Sequence, residues 1–180
     1  MWLKEYEKPS YWDTRTCKWL GLPRFANFYL DLNNNKVRSF LCKQHGRILD
    51  IGCGDGSFLS YADVGIDFSK RKLLEAKRKH RRKSLVLASA THLPFRNNVF
   101  DFSFMVSVLL HIHPNKREKT RLEALRTASH FHNMDDIAEK VSAFPTFYHK
   151  LRSIHLKPKL FVAFLSLLFS FPIDRIRRIN

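Results

Sequence analysis

Residues 47–59, RILDIGCGDGSFL, decide the fold. Ile48, Leu49 and Ile51 form a short apolar run of the kind buried in a parallel sheet, and the run breaks at Gly52, Gly54 and Gly56. Glycines at alternate positions remove Cβ atoms where the main chain must turn tightly and where a ligand can approach the backbone. Phe58 and Leu59 then resume apolar packing. The pattern predicts a strand that ends in a loop carrying a small molecule.

Spacing narrows the choice of molecule. A dinucleotide fingerprint needs G-x-G-x-x-G, with helix-start amides receiving a pyrophosphate. This loop reads G-x-G-x-G and follows Asp50, a charge that repels a pyrophosphate and suits a cationic ligand. Val64, Gly65 and Ile66 predict a second strand ending at Asp67, where a carboxylate can accept both ribose hydroxyls or join Ser69 in capping a helix. Residues 84–88 predict a third strand, His92 to Phe95 a loop, and residues 100–109 a fourth strand with His111 just beyond its end.

In this order of motifs the chain resembles the class I S-adenosylmethionine-dependent methyltransferases, whose first motif is an acidic residue followed by G-x-G-x-G. The resemblance implies an α/β, Rossmann-like methyltransferase fold with a mostly parallel sheet, and S-adenosylmethionine as cofactor. It implies that Asp50, Gly52, Gly54, Gly56 and Asp67 hold that cofactor, with Ser89 and Ala90 beside the adenine. Many members carry an acid at the place of Ser89 to bind the adenine amino group. A serine hydroxyl accepts a hydrogen bond more weakly than a carboxylate, and the Ala90 backbone is a second partner.

A narrower likeness follows from the compression between Gly56 and Asp67, which leaves room for only a very short helix and a strand. The tRNA wobble-uridine methyltransferases, which act on carboxymethyluridine, have a similarly brief first crossover. Tyr11, Trp12, Asp13, Thr14 and Arg15 with Trp19, and the segment from Asn115 to Leu125, are similar to that group as well. The sequence departs from it in placing Leu110-His111 where a His pair is common and in what looks like an insertion from Arg24 to Asn35. This resemblance implies tRNA as substrate, an acceptor site that includes His111 and Arg15, and a small zinc-binding activator subunit as partner. Methyl transfer from a sulfonium is an in-line displacement that depends mainly on alignment, so no catalytic dyad is required.

Charge supports a polyanionic partner. The 180 residues hold 32 Lys and Arg against 16 Asp and Glu, a formal net charge of +16, which attracts RNA foremost and an anionic membrane less readily. Residues 69–84, SKRKLLEAKRKHRRKS, concentrate nine of these basic residues on one expected helix. Arg78, Arg81 and Arg82 lead this candidate RNA-binding face; the plain alternative is a solvated, solubilising face. Cys17, Cys42 and Cys53 show neither a disulfide framework nor zinc spacing, and His130 and His132 alone make no metal site, so no metal is expected. The N-terminal residues lack the apolar run of a signal peptide, giving a cytoplasmic or nuclear expectation.

The remaining chain divides around the glycine motif. Residues 1–46 are expected to form a helical cap, with Leu30, Leu32, Val37, Phe40 and Leu41 on one face, and residues 47–180 the methyltransferase domain. Within that domain residues 129–155 read as an insertion, after which Leu160 to Leu165 resemble the fifth strand. That apolar run is short for a membrane span, so stable membrane insertion is not expected; an interfacial helix is the lesser alternative. The family's closing strand hairpin has no evident counterpart in the sequence. Two other functions stay open at this point: a methyltransferase of a small or lipid-like acceptor, and a non-catalytic binding subunit that retains the fold.

Overall fold

The structure, a computed structural model, describes residues 4–14 and 34–134. The expectations placed on Arg15, Trp19, Leu30, Leu32, Leu160 to Leu165 and the closing hairpin fall outside those residues. A 3-10 turn at Lys4–Glu7 leads into α1, Pro9–Thr14. Residues 34–41 form α2. The motif follows as β1, Ile48–Ile51; then come β2, Val64–Asp67, α3, Lys70–Lys79, and β3, Ser84–Leu87. The rest is β4, Phe100–Met105, α4, Pro114–Thr127, and β5, Ala128–Asn133.

The five strands form one sheet in the order β3-β2-β1-β4-β5, with every neighbouring pair parallel. All four residues of β1 and of β2 are buried, as the continuous apolar run of a central parallel strand requires. Alternation sends Ile48 to one face, with Val37, Leu41, Leu59, Leu73, Ala76, Phe102 and Phe104. Leu49 and Ile51 go to the other, with Leu93, Phe100, Met105, Leu109 and Ala124. One face is therefore covered by α2, the first crossover and α3, and the other by α4 and the loop before β4. The first crossover is as brief as its sequence demands, with a single 3-10 turn at Leu59–Tyr61 whose Leu59 is fully buried.

Three boundaries differ from the sequence reading. The basic helix stops at Lys79 with His80 as its C-cap, because Ser84 must pair with Val64 at the start of β3. The fourth strand ends at Met105, not Leu109: Ser107 takes a left-handed φ of 59°, which ends the extended run before the 3-10 turn at Leu109–His111. The segment expected to begin an insertion at residue 129 is instead β5, paired with β4 from Phe100↔Ala128 to Met105↔Asn133. Ser129 and His130 are exposed. Backbone pairing with β4 holds this stretch extended where burial alone could not, so its polar sequence hid it.

The long loop before β4 is fastened to α4 by one ion pair. Glu123 accepts from the Leu93 N–H at 2.8 Å, and Arg126 donates to the carbonyls of Phe95 at 2.7 Å and Leu93 at 3.0 Å. Glu123 and Arg126 also bond each other, at 2.9 and 3.0 Å. Arg126 lowers the Glu123 pKa to about 2 from the ordinary 4.5, with the Leu93 N–H adding to the effect. A depressed carboxyl adds stability above its unfolded value that is lost as pH falls through the folded value. Glu123→Gln should thus lower unfolding stability by about 1 kcal/mol at pH 7, and the gap to the wild-type chain should close between pH 4.5 and 2 in urea titrations.

Candidate cofactor site

The loop after β1 is tied to the end of β2. The N–H groups of Gly52 and Cys53 both donate to the Ile66 carbonyl at 2.8 Å, and the Gly54 N–H donates to Asp67 Oδ2 at 2.9 Å. Its far side rests on the end of α3, where His80 Nε2 lies 2.9 Å from the Gly56 carbonyl and Lys79 pairs with Asp55 at 2.6 Å. Gly52 and Gly54 both have positive φ, 75° and 55°, but their surroundings differ. A Cβ on Gly52 would stand 2.5 Å from Val108 Cγ2, whereas one on Gly54 would meet nothing within 4 Å. The backbone at Gly54 is therefore open to a ligand.

Two buried carboxyls flank that opening. Asp50 is 3% exposed and its Oδ2 has no hydrogen-bond partner among the described residues. Burial, with the neighbouring Asp67 second, holds its pKa well above the ordinary carboxylate range. Such a group calls for a proton or an incoming cation. Asp67, 9% exposed, accepts from the Ser69 N–H at 2.8 Å through Oδ1 and from Gly54 through Oδ2. Burial raises its pKa too, against the opposing effect of the Ser69 and Gly54 N–H groups. A carboxylate accepts at about four positions, so these bonds leave acceptor capacity for a ligand hydroxyl. Burial, with Asp50 and Asp67 nearby, also pushes the Cys53 thiol far up, so this cysteine is no nucleophile.

The N-terminal segment closes on this end of the sheet. Ser69 caps α3 by accepting from the Lys72 N–H at 3.2 Å, and its hydroxyl donates to Asp13 Oδ1 at 2.5 Å. Tyr6 and Trp12 set their rings edge-on to His111, with centroids 4.9 and 4.7 Å away. Glu7 pairs with Lys116 at 2.6 Å. Arg117 donates to the carbonyls of Leu110 and Ile112 at 3.1 and 3.0 Å, holding the turn that presents His111.

Asp50, Gly52, Gly54, Gly56 and Asp67 thus come together as one loop-and-carboxylate site. Ser89 and Ala90 follow the end of β3, beside β2 in the sheet, and His111 stands on the β4 side. Arg78 is exposed on the last turn of α3, with Arg81 and Arg82 exposed just after it. Arg15 lies outside the described residues. His132 stacks on Phe40 at 4.6 Å, a packing role on the outer strand. Sequence reasoning missed Asp13, Ser69 as the link to it, and Arg117. Only the Ser69 cap left a local signal, a serine just ahead of a helical run.

Residues 49–130 match the family described as a methyltransferase domain. The magnesium protoporphyrin IX methyltransferase of Synechocystis, solved with S-adenosylmethionine bound, superposes with a TM-score of 0.53 at 16% identity, over 69% of this chain and 68% of that one. This is the class I S-adenosylmethionine-dependent methyltransferase fold. A phosphoethanolamine N-methyltransferase of Haemonchus contortus shares the methyltransferase fold with a TM-score of 0.55 at 18% identity, over 68% of this chain and 28% of that one. In sequence, the chain is similar to the Arabidopsis thaliana tRNA (carboxymethyluridine(34)-5-O)-methyltransferase, 30% identical over 121 residues, which is 65% of this chain and 26% of that protein. The chain spans between 26% and 34% of the length of the curated relatives it matches. S-adenosylmethionine, a nucleoside with a sulfonium and an ammonium group, fits the open Gly54 backbone between the buried Asp50, whose Oδ2 has no partner among the described residues, and the buried Asp67.

Two substitutions separate the loop's structural role from its ligand role. Gly54→Ala should cost about 1 kcal/mol of stability for its positive φ and yet weaken S-adenosylmethionine binding at least tenfold by calorimetry; Gly52→Ala should unfold the chain at lower temperature through its clash with Val108. Asp50→Asn tests the buried charge. A raised carboxyl stabilises the fold below its unfolded value and loses that contribution as pH climbs through its folded one. The variant should therefore melt above the wild-type chain at pH 7 to 8, with the difference shrinking towards pH 4, while cofactor affinity falls.

Proposed function

We propose that the chain is an S-adenosylmethionine-dependent methyltransferase that acts on tRNA, at a modified wobble uridine. The observation that carries the reading is the pair of buried carboxyls on either side of the open Gly54 backbone. Asp50 receives the cationic end of the cofactor, Asp67 its ribose hydroxyls, and the turn beyond β3 its base. The cofactor supplies an electrophilic methyl group on sulfur. The chain's own task is alignment and exclusion of water, which α1 serves by bridging Ser69 and His111 across the carboxyl ends of the strands. His111 and Arg15 are proposed for the acceptor site.

The substrate part of the reading is supported by the likeness to the Arabidopsis enzyme, by the net charge of +16, and by the exposed Arg78, Arg81 and Arg82. A zinc-binding activator subunit is proposed for the edge of β3. There Leu74 and Leu87, 53% and 56% exposed, line a shallow groove with Leu73 and Leu85.

Calorimetric titration of S-adenosylmethionine, with Asp67→Ala as control, tests the enzyme reading. Micromolar binding that the variant loses supports it, and no binding with or without an activator leaves a non-catalytic subunit. A tRNA titration across salt concentrations tests the substrate. Affinity that falls steeply with salt, and less steeply in an Arg78, Arg81 and Arg82 triple alanine variant, supports RNA; salt-insensitive or absent binding favours a small or lipid-like acceptor.

A further inference from the structure

The run that ends α3 joins the cofactor loop and the candidate RNA surface in one turn of chain. Residues 77–83, KRKHRRK, contain no acid. Lys79 Nζ donates to Asp55 Oδ2 at 2.6 Å, and the next residue sets His80 Nε2 at 2.9 Å from the Gly56 carbonyl. A carbonyl only accepts, so Nε2 carries a proton. The contact is close as well as polar: a Cβ on Gly56 would stand 2.9 Å from His80 Cδ2 and 3.3 Å from Ala76 Cβ. Both fastenings fall directly after Gly54, the residue whose backbone is open to a ligand.

The arginines belong to the same turn. The Lys83 N–H donates to the His80 carbonyl at 3.1 Å, and Lys77 Nζ donates to the Lys83 carbonyl at 2.9 Å, which folds residues 80–83 back on the last turn of α3. Arg78, Arg81 and Arg82 are exposed and form no ion pair among the described residues. Lys79 differs from them: its side chain is 51% exposed, yet its charge is committed to Asp55, which is 16% exposed. Burial pushes that carboxyl up, and the hydrogen bonds from Lys79 and Ser57 bring it below the usual range, so Asp55 depends on its cation. Lys79 lies between Arg78 and Arg81 in the chain. A phosphate backbone laid along the arginines therefore adds negative charge beside it and competes with Asp55 for the ammonium.

We propose that Lys79 couples the RNA surface to the cofactor loop with opposing sign. An RNA backbone bound on Arg78, Arg81 and Arg82 takes Lys79 from Asp55, loosens the glycine loop and weakens cofactor binding; bound cofactor weakens RNA binding by the same factor. This rests on the readings of S-adenosylmethionine as cofactor and of the arginines as an RNA-backbone surface. His80 stays on Gly56, so the loop is slackened at one of its two fastenings and not released. The effect is then the worth of one half-exposed ion pair, about two- to fivefold in affinity.

The test is a thermodynamic cycle on the full chain with S-adenosylhomocysteine and a single-stranded oligouridylate, all at one ionic strength. Saturating oligouridylate should weaken S-adenosylhomocysteine binding about two- to fivefold by calorimetry, and saturating S-adenosylhomocysteine should weaken oligouridylate binding by the same factor in fluorescence anisotropy. Lys79→Gln and Asp55→Asn should both abolish the coupling yet move RNA affinity in opposite directions. The first removes a cation and lowers it; the second frees Lys79 for phosphate and raises it. A merely structural role for the pair gives no such opposition. Two ligands that bind without mutual effect, that strengthen each other, or that keep the wild-type factor in Lys79→Gln overturn the coupling and leave both underlying readings standing. Absence of oligouridylate binding overturns the RNA surface, absence of S-adenosylhomocysteine binding overturns the cofactor reading, and either takes the coupling with it.

Discussion

The structure depends on the hydrogen bond from the Gly54 backbone N–H to Asp67 Oδ2, which, with the Gly52 and Cys53 N–H groups on the Ile66 carbonyl, ties the glycine loop to the neighbouring strand. It joins the loop that follows Asp50 to the strand end that carries Asp67, while parallel pairing sets Asp50 opposite Gly65. Both carboxyls are buried, and burial, with Asp67 second, raises the energetic penalty of ionising Asp50. Asp67 is relieved by backbone N–H donors, those of Ser69 and Gly54 foremost, whereas the Asp50 Oδ2 is relieved by none among the described residues. The asymmetry divides the labour. Asp67 already has a backbone frame and can spare lone pairs for hydroxyls, while Asp50 remains in need of positive charge. A ligand with a cation at one end and a diol at the other matches both deficits at once.

The N-terminal segment completes this arrangement through contacts that differ in kind on its two sides. Towards β2 it is held by a charge-assisted hydrogen bond, Ser69 to Asp13. Towards β4 it is held by rings, Tyr6 and Trp12 on His111. Trp12 spends its indole N–H on the Tyr6 carbonyl at 3.0 Å, so that donor is already engaged within the segment. Because Ser69 also bonds Asp67 through its backbone, the position of α1 and the setting of the Asp67 carboxylate are linked by one residue.

How much of this the sequence revealed follows from which forces shaped each part. The run from Ile48 to Ile51, the glycine spacing and Asp67 were legible because burial and positive φ leave strong local marks, and the structure brings all of them together. The short first crossover was legible from length alone. β5 was not: its residues from Ala128 to Asn133 are mostly polar, and pairing with β4 is a long-range condition that no local pattern carries. Leu109 reads as strand in the sequence because it continues an apolar run, yet the left-handed Ser107 follows the end of that strand at Met105. Asp13 and Arg117 matter through partners distant in sequence or through main-chain carbonyls, which a one-dimensional reading does not see.

The compressed crossover has a structural consequence for the glycine loop. A helix directly after the loop would steady it with its own first turn; here only a 3-10 turn follows, and the loop leans on the end of α3. Lys79 takes Asp55, His80 takes the Gly56 carbonyl, and burial of Asp55 is offset by that lysine and by Ser57, so its carboxyl stays below the usual range. Lys79 and His80 lie in sequence between Arg78 and the pair Arg81 and Arg82. The basic run is thus more than a solvated face. Two of its members fasten the cofactor loop, and a polyanion on the arginines, as proposed, would sit within a residue or two of those fastenings. An additional anion there would compete with Asp55 for Lys79, which gives the positive charge of this run a reason to exceed what the loop alone requires.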